Sequence, residues 1–169
     1  METRADTTLA EFIHYNNWAN KQVLDACQKL SEGQLAAAMS GAFGTIRDTL
    51  EHLIRSEAGY VSLLTGTRPE PPFKWEARPG AAEMAGYAAQ VGQALEDAAY
   101  RLSPTDRVYQ EWQGRKVHYE ALAVFIQIVN HGIEHRTNIT TILNHEQQPR
   151  PDVDGWGYLW AHTDRFDLR

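Results

Sequence analysis

Apolar residues recur along the chain every three to four positions, a spacing that is typical of amphipathic helices. The pattern predicts four long helices, which cover residues of about 7–30, 45–66, 81–102 and 120–146. One stripe of the first predicted helix carries Leu9, Phe12, Ile13, Val23, Leu24 and Cys27. Four helices with apolar faces favour an all-α fold, and at this length a four-helix bundle.

Two connections between the predicted helices have compositions that exclude helix. Residues 67–80 contain four prolines and are expected to form a long, partly exposed connection. Residues 108–119 alternate in polarity around Gly114, which predicts a short hairpin or an extended loop before the last helix. At the start of the second helix Thr45 is a suitable cap, and Gly66 is suited to its end.

The fourth predicted helix carries two histidines, His131 and His135, on its apolar stripe. The same stripe contains Val124, Ile128, Ile139 and Ile142. A buried neutral imidazole with an unsatisfied nitrogen costs roughly 1–3 kcal/mol, and one divalent cation satisfies both rings. Alternatively, each histidine is a core residue bonded to a carbonyl or carboxylate, since this spacing also arises by chance. Gly132 between them indicates close approach by a neighbouring element.

The second predicted helix offers a third histidine, His52. It lies on a polar stripe beside the apolar one, where it would line the edge of a cleft. Asp48, one turn earlier, is suited to orient the His52 imidazole as a hydrogen-bonding carboxylate. The alternative is an ordinary surface pair between residues four apart on a helix.

Glu57 falls near the centre of the apolar stripe of the second helix, so its carboxylate must be paired, coordinated or uncharged. A structural salt bridge with an arginine such as Arg136 is favoured over a catalytic role. Asn16 and Asn20 interrupt the apolar stripe of the first helix. They are expected to bond the opposite helix or to face a cavity. Trp18 points away and is expected to pack on the C-terminal segment or a partner.

Composition narrows the class of protein. The net charge is −6, which argues against a nucleic-acid partner. The single cysteine, Cys27, excludes an internal disulfide and a cysteine-rich zinc site, and its apolar position indicates a packed, inert thiol. Nothing at the N-terminus resembles a secretory signal, and no apolar run is long enough to span a membrane. We expect a soluble cytoplasmic protein with a single domain, residues 1–169.

Four segments together resemble the DinB/YfiT-like superfamily of bacterial metal-binding bundles. They are GTIRDTLEHLIRSE at 44–57, NHGIEHR at 130–136, YNNWAN at 15–20 and DGWGYLW at 154–160. The resemblance implies an up-down-down-up four-helix bundle, usually dimeric, with one divalent metal held by three histidines. Carried onto this chain, the ligands are His52, His131 and His135. Zinc or nickel suits imidazole ligands, and iron and manganese are further candidates.

The resemblance also implies a class of activity. Three protein ligands leave an open coordination position, as in catalytic metal sites. Similar proteins include S-transferases and isomerases that use a low-molecular-weight thiol, and metal-dependent hydrolases, all acting on small molecules. The chain is therefore expected to be a metal-dependent enzyme of one of these classes. Candidates for orienting the ligands or for acid–base chemistry are Asp48, Glu57, Glu134 and Arg136.

Two other interpretations compete with this one. The first is a stress-related bundle that binds metal without catalysing a reaction. The second is a metalloprotease, because residues 131–135 match His-x-x-Glu-His with Glu134 as the base. Those proteases resemble larger α/β proteins with a distant glutamate ligand, whereas Glu146 is the sole glutamate after His135 here. The protease interpretation is therefore the weaker of the two.

Overall fold

Four helices of 20 to 25 residues form most of the structure, a computed structural model that describes residues 8–164 and, of Trp112, only the backbone. The long helices are α1 (Thr8–Cys27), α3 (Ile46–Thr65), α4 (Ala81–Arg101) and α5 (Ala121–His145). Two short helices, α2 (Glu32–Leu35) and α6 (Gly155–Ala161), were not predicted. The chain is thus mostly helical, and none of the helices in the described range could cross a membrane.

Local capping fixes the helix ends. Thr45 caps α3, since its side chain accepts from the Asp48 amide and the Asp48 carboxylate accepts from the Thr45 amide at 3.3 Å. Gly66 ends α3 with φ of 79°, a conformation that favours glycine. Ser31 begins α2 through a reciprocal bond with Gln34. The first predicted helix therefore stops at Cys27, earlier than the apolar pattern suggested.

The segment before α5 is a hairpin rather than an extended loop. Strands β1 (Arg107–Trp112) and β2 (Arg115–Glu120) pair antiparallel, with Val108 opposite Tyr119. The two turn residues, Gln113 and Gly114, both have positive φ, as two-residue hairpin turns require. This hairpin is the one β-sheet among the described residues, and it departs from the expected all-α fold.

The long connection between α3 and α4 folds back along α3. Arg68 donates to the carbonyl of Arg55 at 2.9 Å, and Arg47 near the start of α3 donates to the carbonyl of Pro79 at 2.7 Å. A single turn of 3-10 helix, Trp75–Ala77, interrupts it. The prolines thus exclude regular helix as expected, while hydrogen bonds from arginine side chains fix the path.

Each long helix packs against two others, because α1 and α3 both contact α4 and α5. The core is aliphatic, and burial raises the pKa of the Cys27 thiol to about 12, so the thiol is packed and unreactive. Trp18 packs on Tyr158 of α6, with the rings 5.5 Å apart. Phe12 was expected on the buried stripe of the first helix, but it is 54% exposed.

A buried polar network joins α1, α3 and α5. The Glu57 carboxylate, 1% exposed, accepts from the side-chain amides of Asn16 at 2.7 Å and Asn20 at 2.8 Å. The Arg136 guanidinium donates to the side-chain oxygens of the same asparagines at 2.8 and 2.6 Å. The expected direct salt bridge is replaced, because no ion pair joins Glu57 and Arg136 within the described residues. The side-chain amides of the two asparagines lie between the carboxylate and the guanidinium.

For each of Glu57 and Arg136, burial shifts the pKa in one direction, and hydrogen bonds and the opposite charge shift it in the other. Burial raises the pKa of Glu57, against the hydrogen bonds from Asn16 and Asn20 and the charge of Arg136. Burial also lowers the pKa of Arg136, and Glu57 opposes that shift. Both asparagines turn their oxygens to the guanidinium and their NH₂ groups to the carboxylate. This orientation stabilises the charged forms of both groups.

Gly132 makes room for the network on α5. A Cβ atom at this position would lie 2.5 Å from an Arg136 guanidinium nitrogen and closer still to the side-chain oxygen of Asn16. The close approach expected at Gly132 is thus confirmed, and the neighbouring element is α1.

We predict that Gly132→Ala lowers the free energy of unfolding by about 2 kcal/mol, because the new methyl group overpacks a filled region. Gly86→Ala is the matched control. Gly86 lies within α4, where an added methyl group would meet no neighbouring side chain within 4 Å. There the same change is expected to stabilise the helix by up to about 1 kcal/mol. Chemical denaturation measures both, and equal effects would contradict the packing described for Gly132.

Candidate metal centre

Three histidines from two packed helices converge on one point. His52 lies on α3, and His131 and His135 lie one turn apart on α5. The Nε2 atoms of His52 and His131 are 3.1 Å apart, and one nitrogen from each of the three rings falls within 4.8 Å of the others. The structure therefore brings together all three histidines that the sequence indicated as ligands.

The three rings are held in the neutral form. His131 is 9% exposed and His135 is 4% exposed. Burial, helped by the neighbouring rings and Arg136, lowers the pKa of His131 to about 4. Burial is also the largest cause of the lowered pKa values of His52 and His135. Neutral imidazole has a free lone pair, which is the form that coordinates metals.

The protein leaves bonding capacity unused at these rings. The Nδ1 atoms of His131 and His135 are buried, and neither has a hydrogen-bond partner in the described part of the chain. An unsatisfied buried nitrogen costs roughly 1–3 kcal/mol. The close pair of Nε2 atoms on His52 and His131 would share one proton at most as a hydrogen bond. A cation that takes one nitrogen from each ring would relieve the close approach of the two Nε2 atoms, so the residues fit a divalent metal of the type that accepts nitrogen ligands.

Two aromatic side chains flank the histidines, and the sequence did not indicate either. Phe43 stacks on the His52 ring at 4.2 Å and meets His135 edge-on at 5.0 Å. Tyr60 meets His131 edge-on at 5.8 Å. Tyr60 lies two helical turns beyond His52, so helical spacing could have indicated it. Phe43 lies in a loop, and no periodicity assigns loop residues to a site.

The other candidate residues take different places around the centre. Asp48 closes the start of α3 through Thr45, so its carboxylate has a structural partner one turn from His52. Glu134 is exposed, and its charge acts to raise the pKa of His52 and of His135. Glu57 and Arg136 belong to the buried network on the inner side of α5.

Comparison with known protein families gives a match over nearly the whole chain. A model of the DinB family matches residues 1–165. No match is found among curated proteins. The family match spans all three histidines, the four long helices and the C-terminal helix α6. This chain belongs to the DinB family.

Proposed function

We propose that this protein is a metal-dependent enzyme in which His52, His131 and His135 hold one divalent cation. The observation that carries the proposal is the convergence of three neutral imidazoles within 4.8 Å. Zinc or nickel is the proposed cation because imidazole nitrogen suits both, and iron and manganese are the next candidates. When bound, such a cation lowers the pKa of a water molecule or a thiol at the site.

The ligand set leaves a coordination position for a small-molecule substrate. Among the described residues, no fourth His, Cys, Asp or Glu joins the cluster, so three protein ligands leave a position open. The exposed Glu134 carboxylate acts electrostatically on His52 and His135. Its proposed role is to accept the proton that a water or thiol nucleophile loses. Water as nucleophile gives a hydrolase, and a low-molecular-weight thiol gives an S-transferase or isomerase.

Metal uptake tests the ligand set. We expect the purified protein to bind one zinc or nickel ion per chain. His52→Ala, His131→Ala and His135→Ala are each expected to weaken binding by at least about 100-fold, since a lost ligand costs no less than a lost supporting group. His145→Ala is the control, because His145 is exposed on the same helix. Elemental analysis and titration measure this, and unchanged uptake in the three variants would refute the ligand set.

Turnover separates the reaction classes. The metal-loaded protein is expected to consume a low-molecular-weight thiol with an electrophilic acceptor, or to hydrolyse a small ester or amide without thiol. Glu134→Gln is expected to slow either reaction by about 100-fold at unchanged metal content, as loss of a proton acceptor does. Full metal occupancy without turnover of either class of substrate would contradict the enzyme proposal and favour a non-catalytic metal-binding bundle.

We include the up-down-down-up order of the bundle in this proposal, supported by contacts along the helix pairs. The Arg47–Pro79 bond brings the starts of α3 and α4 together. Phe43, just before the start of α3, donates a hydrogen bond to Asn138 in the second half of α5. Tyr60, near the end of α3, accepts one from Gln127 in the first half of α5. These two hydrogen bonds require α3 and α5 to be antiparallel. An experimental structure with α3 and α5 parallel would contradict this order.

We also propose that the protein is a homodimer through the face formed by α1 and α5. Phe12, Ile126 and Ile133 are 54%, 60% and 45% exposed and border one groove of about 460 Å³. Exposed apolar patches of this kind mark association surfaces. Light scattering is expected to give twice the chain mass, and Ile126→Glu is expected to give the monomer. Gln90→Glu, on the exposed side of α4, is the charge-matched control. A monomeric native protein would contradict the proposal.

A further inference from the structure

Phe43 lies in a short loop that is fixed at both ends before α3 begins. Ala38 and Thr45 form an isolated antiparallel bridge, and the Ile46 amide donates to the Ala37 carbonyl at 3.0 Å. The amide of Phe43 itself donates to the side-chain oxygen of Asn138 on α5 at 3.2 Å. The backbone that carries the Phe43 ring is therefore tied to the same two helices that carry the histidines.

The Phe43 ring combines close contact with unusual exposure. One face lies on His52 with an angle of 26° between the ring planes, and its position against His135 is nearly perpendicular, at 86°. Even so, the side chain is 51% exposed. Because one face covers His52, the exposed area is that of the opposite face and the outer edge. A fixed, flat, apolar surface thus borders the histidines and faces solvent.

Tyr60 lies at the other end of the histidine cluster from Phe43. Its ring contacts His131, and its hydroxyl accepts from the Gln127 side chain at 3.3 Å. Along the line between α3 and α5, the order is therefore Phe43, the three histidines, then Tyr60. The histidine cluster is thus bordered by an aromatic side chain at each end.

The charges at the rim decide which part of a substrate Phe43 contacts. Arg55, whose charge lowers the pKa of His52, is paired with Glu51 at 2.8 Å. The charge of Glu134 acts on the pKa of His52 in the opposite direction. Apart from the proposed metal ion, which binds the reacting atom of the substrate, these residues offer no unpaired cation to a charged group beside Phe43. The surface favours an uncharged apolar group.

We propose that Phe43 is a specificity-determining residue that selects substrates with a planar apolar group next to the atom that reaches the histidine cluster. This inference rests on the proposed function, since it assumes that a substrate binds at the cluster. It adds the chemical class of the substrate: a compound with an aromatic or similarly flat apolar portion, which packs on the open face of the Phe43 ring.

Two probes with the same metal-binding head test this. Acetohydroxamate and benzohydroxamate differ in a methyl against a phenyl group, and their dissociation constants are measured by titration on the zinc-loaded full chain. The native protein is expected to bind benzohydroxamate about 3- to 10-fold more tightly, the range of an aromatic contact. Phe43→Ala is expected to reduce this ratio to less than about 2-fold while zinc content stays at one per chain.

Two further variants make the result decisive. Phe12→Ala removes an equally exposed phenylalanine from α1 and is expected to keep the native ratio. Phe43→Leu keeps an apolar side chain without the flat ring and is expected to give an intermediate ratio. No preference in the native protein, or a preference that survives Phe43→Ala, would overturn the inference while leaving the metal site intact. A protein that takes up none of zinc, nickel, iron and manganese would overturn the proposed function and this inference with it.

Discussion

The pairing of Glu57 with Arg136 through Asn16 and Asn20 is the interaction on which the centre of this bundle depends. Burying an isolated charge in the core costs several kcal/mol. Glu57 and Arg136 each therefore depend on the opposite charge and on the two asparagine amides. The hydrogen bonds join α1, α3 and α5, and a shift of one helix along another would break them. Aliphatic packing alone tolerates such shifts more readily, because it lacks directional bonds.

The position of the histidines follows from this pairing. Arg136 adjoins His135, and Glu57 lies five residues beyond His52, so the network holds together the two helices that carry the three histidines. The positive charge of Arg136 also contributes to the low pKa of His131, after burial and the neighbouring rings. One buried network thus helps to set both the alignment of the rings and their neutral state. Gly132 is part of the same arrangement because any side chain there would occupy the space of Arg136 and Asn16.

Much of this could be predicted from the sequence where a repeating spacing carries the information. Helical periodicity indicates the four long helices and places His131 and His135 on a buried face, and the polar stripe indicates His52. The apolar stripe also identifies Glu57 as a buried carboxylate, for which an arginine such as Arg136 is the expected partner.

The side-chain amides of Asn16 and Asn20 between Glu57 and Arg136 could not be predicted, because their geometry depends on how three helices pack together. The short helices α2 and α6 could not be predicted either, because they span only four and seven residues, too few to show a helical repeat. Phe12 shares the spacing of the core residues of α1 but is exposed. The position of Phe43 beside the histidines could not be predicted because Phe43 lies in a loop, where no repeating spacing applies.

X-ray absorption spectroscopy of the zinc- or nickel-loaded protein measures the three-histidine centre most directly, because imidazole rings give distinctive multiple scattering. The expected spectrum has three imidazole nitrogens at about 2.0–2.1 Å for zinc, with the remaining positions filled by light atoms. The proposed ligands are His52 from α3 and His131 and His135 from α5. A spectrum with fewer than three imidazoles, or with a sulfur ligand from Cys27, would contradict a cation held between α3 and α5.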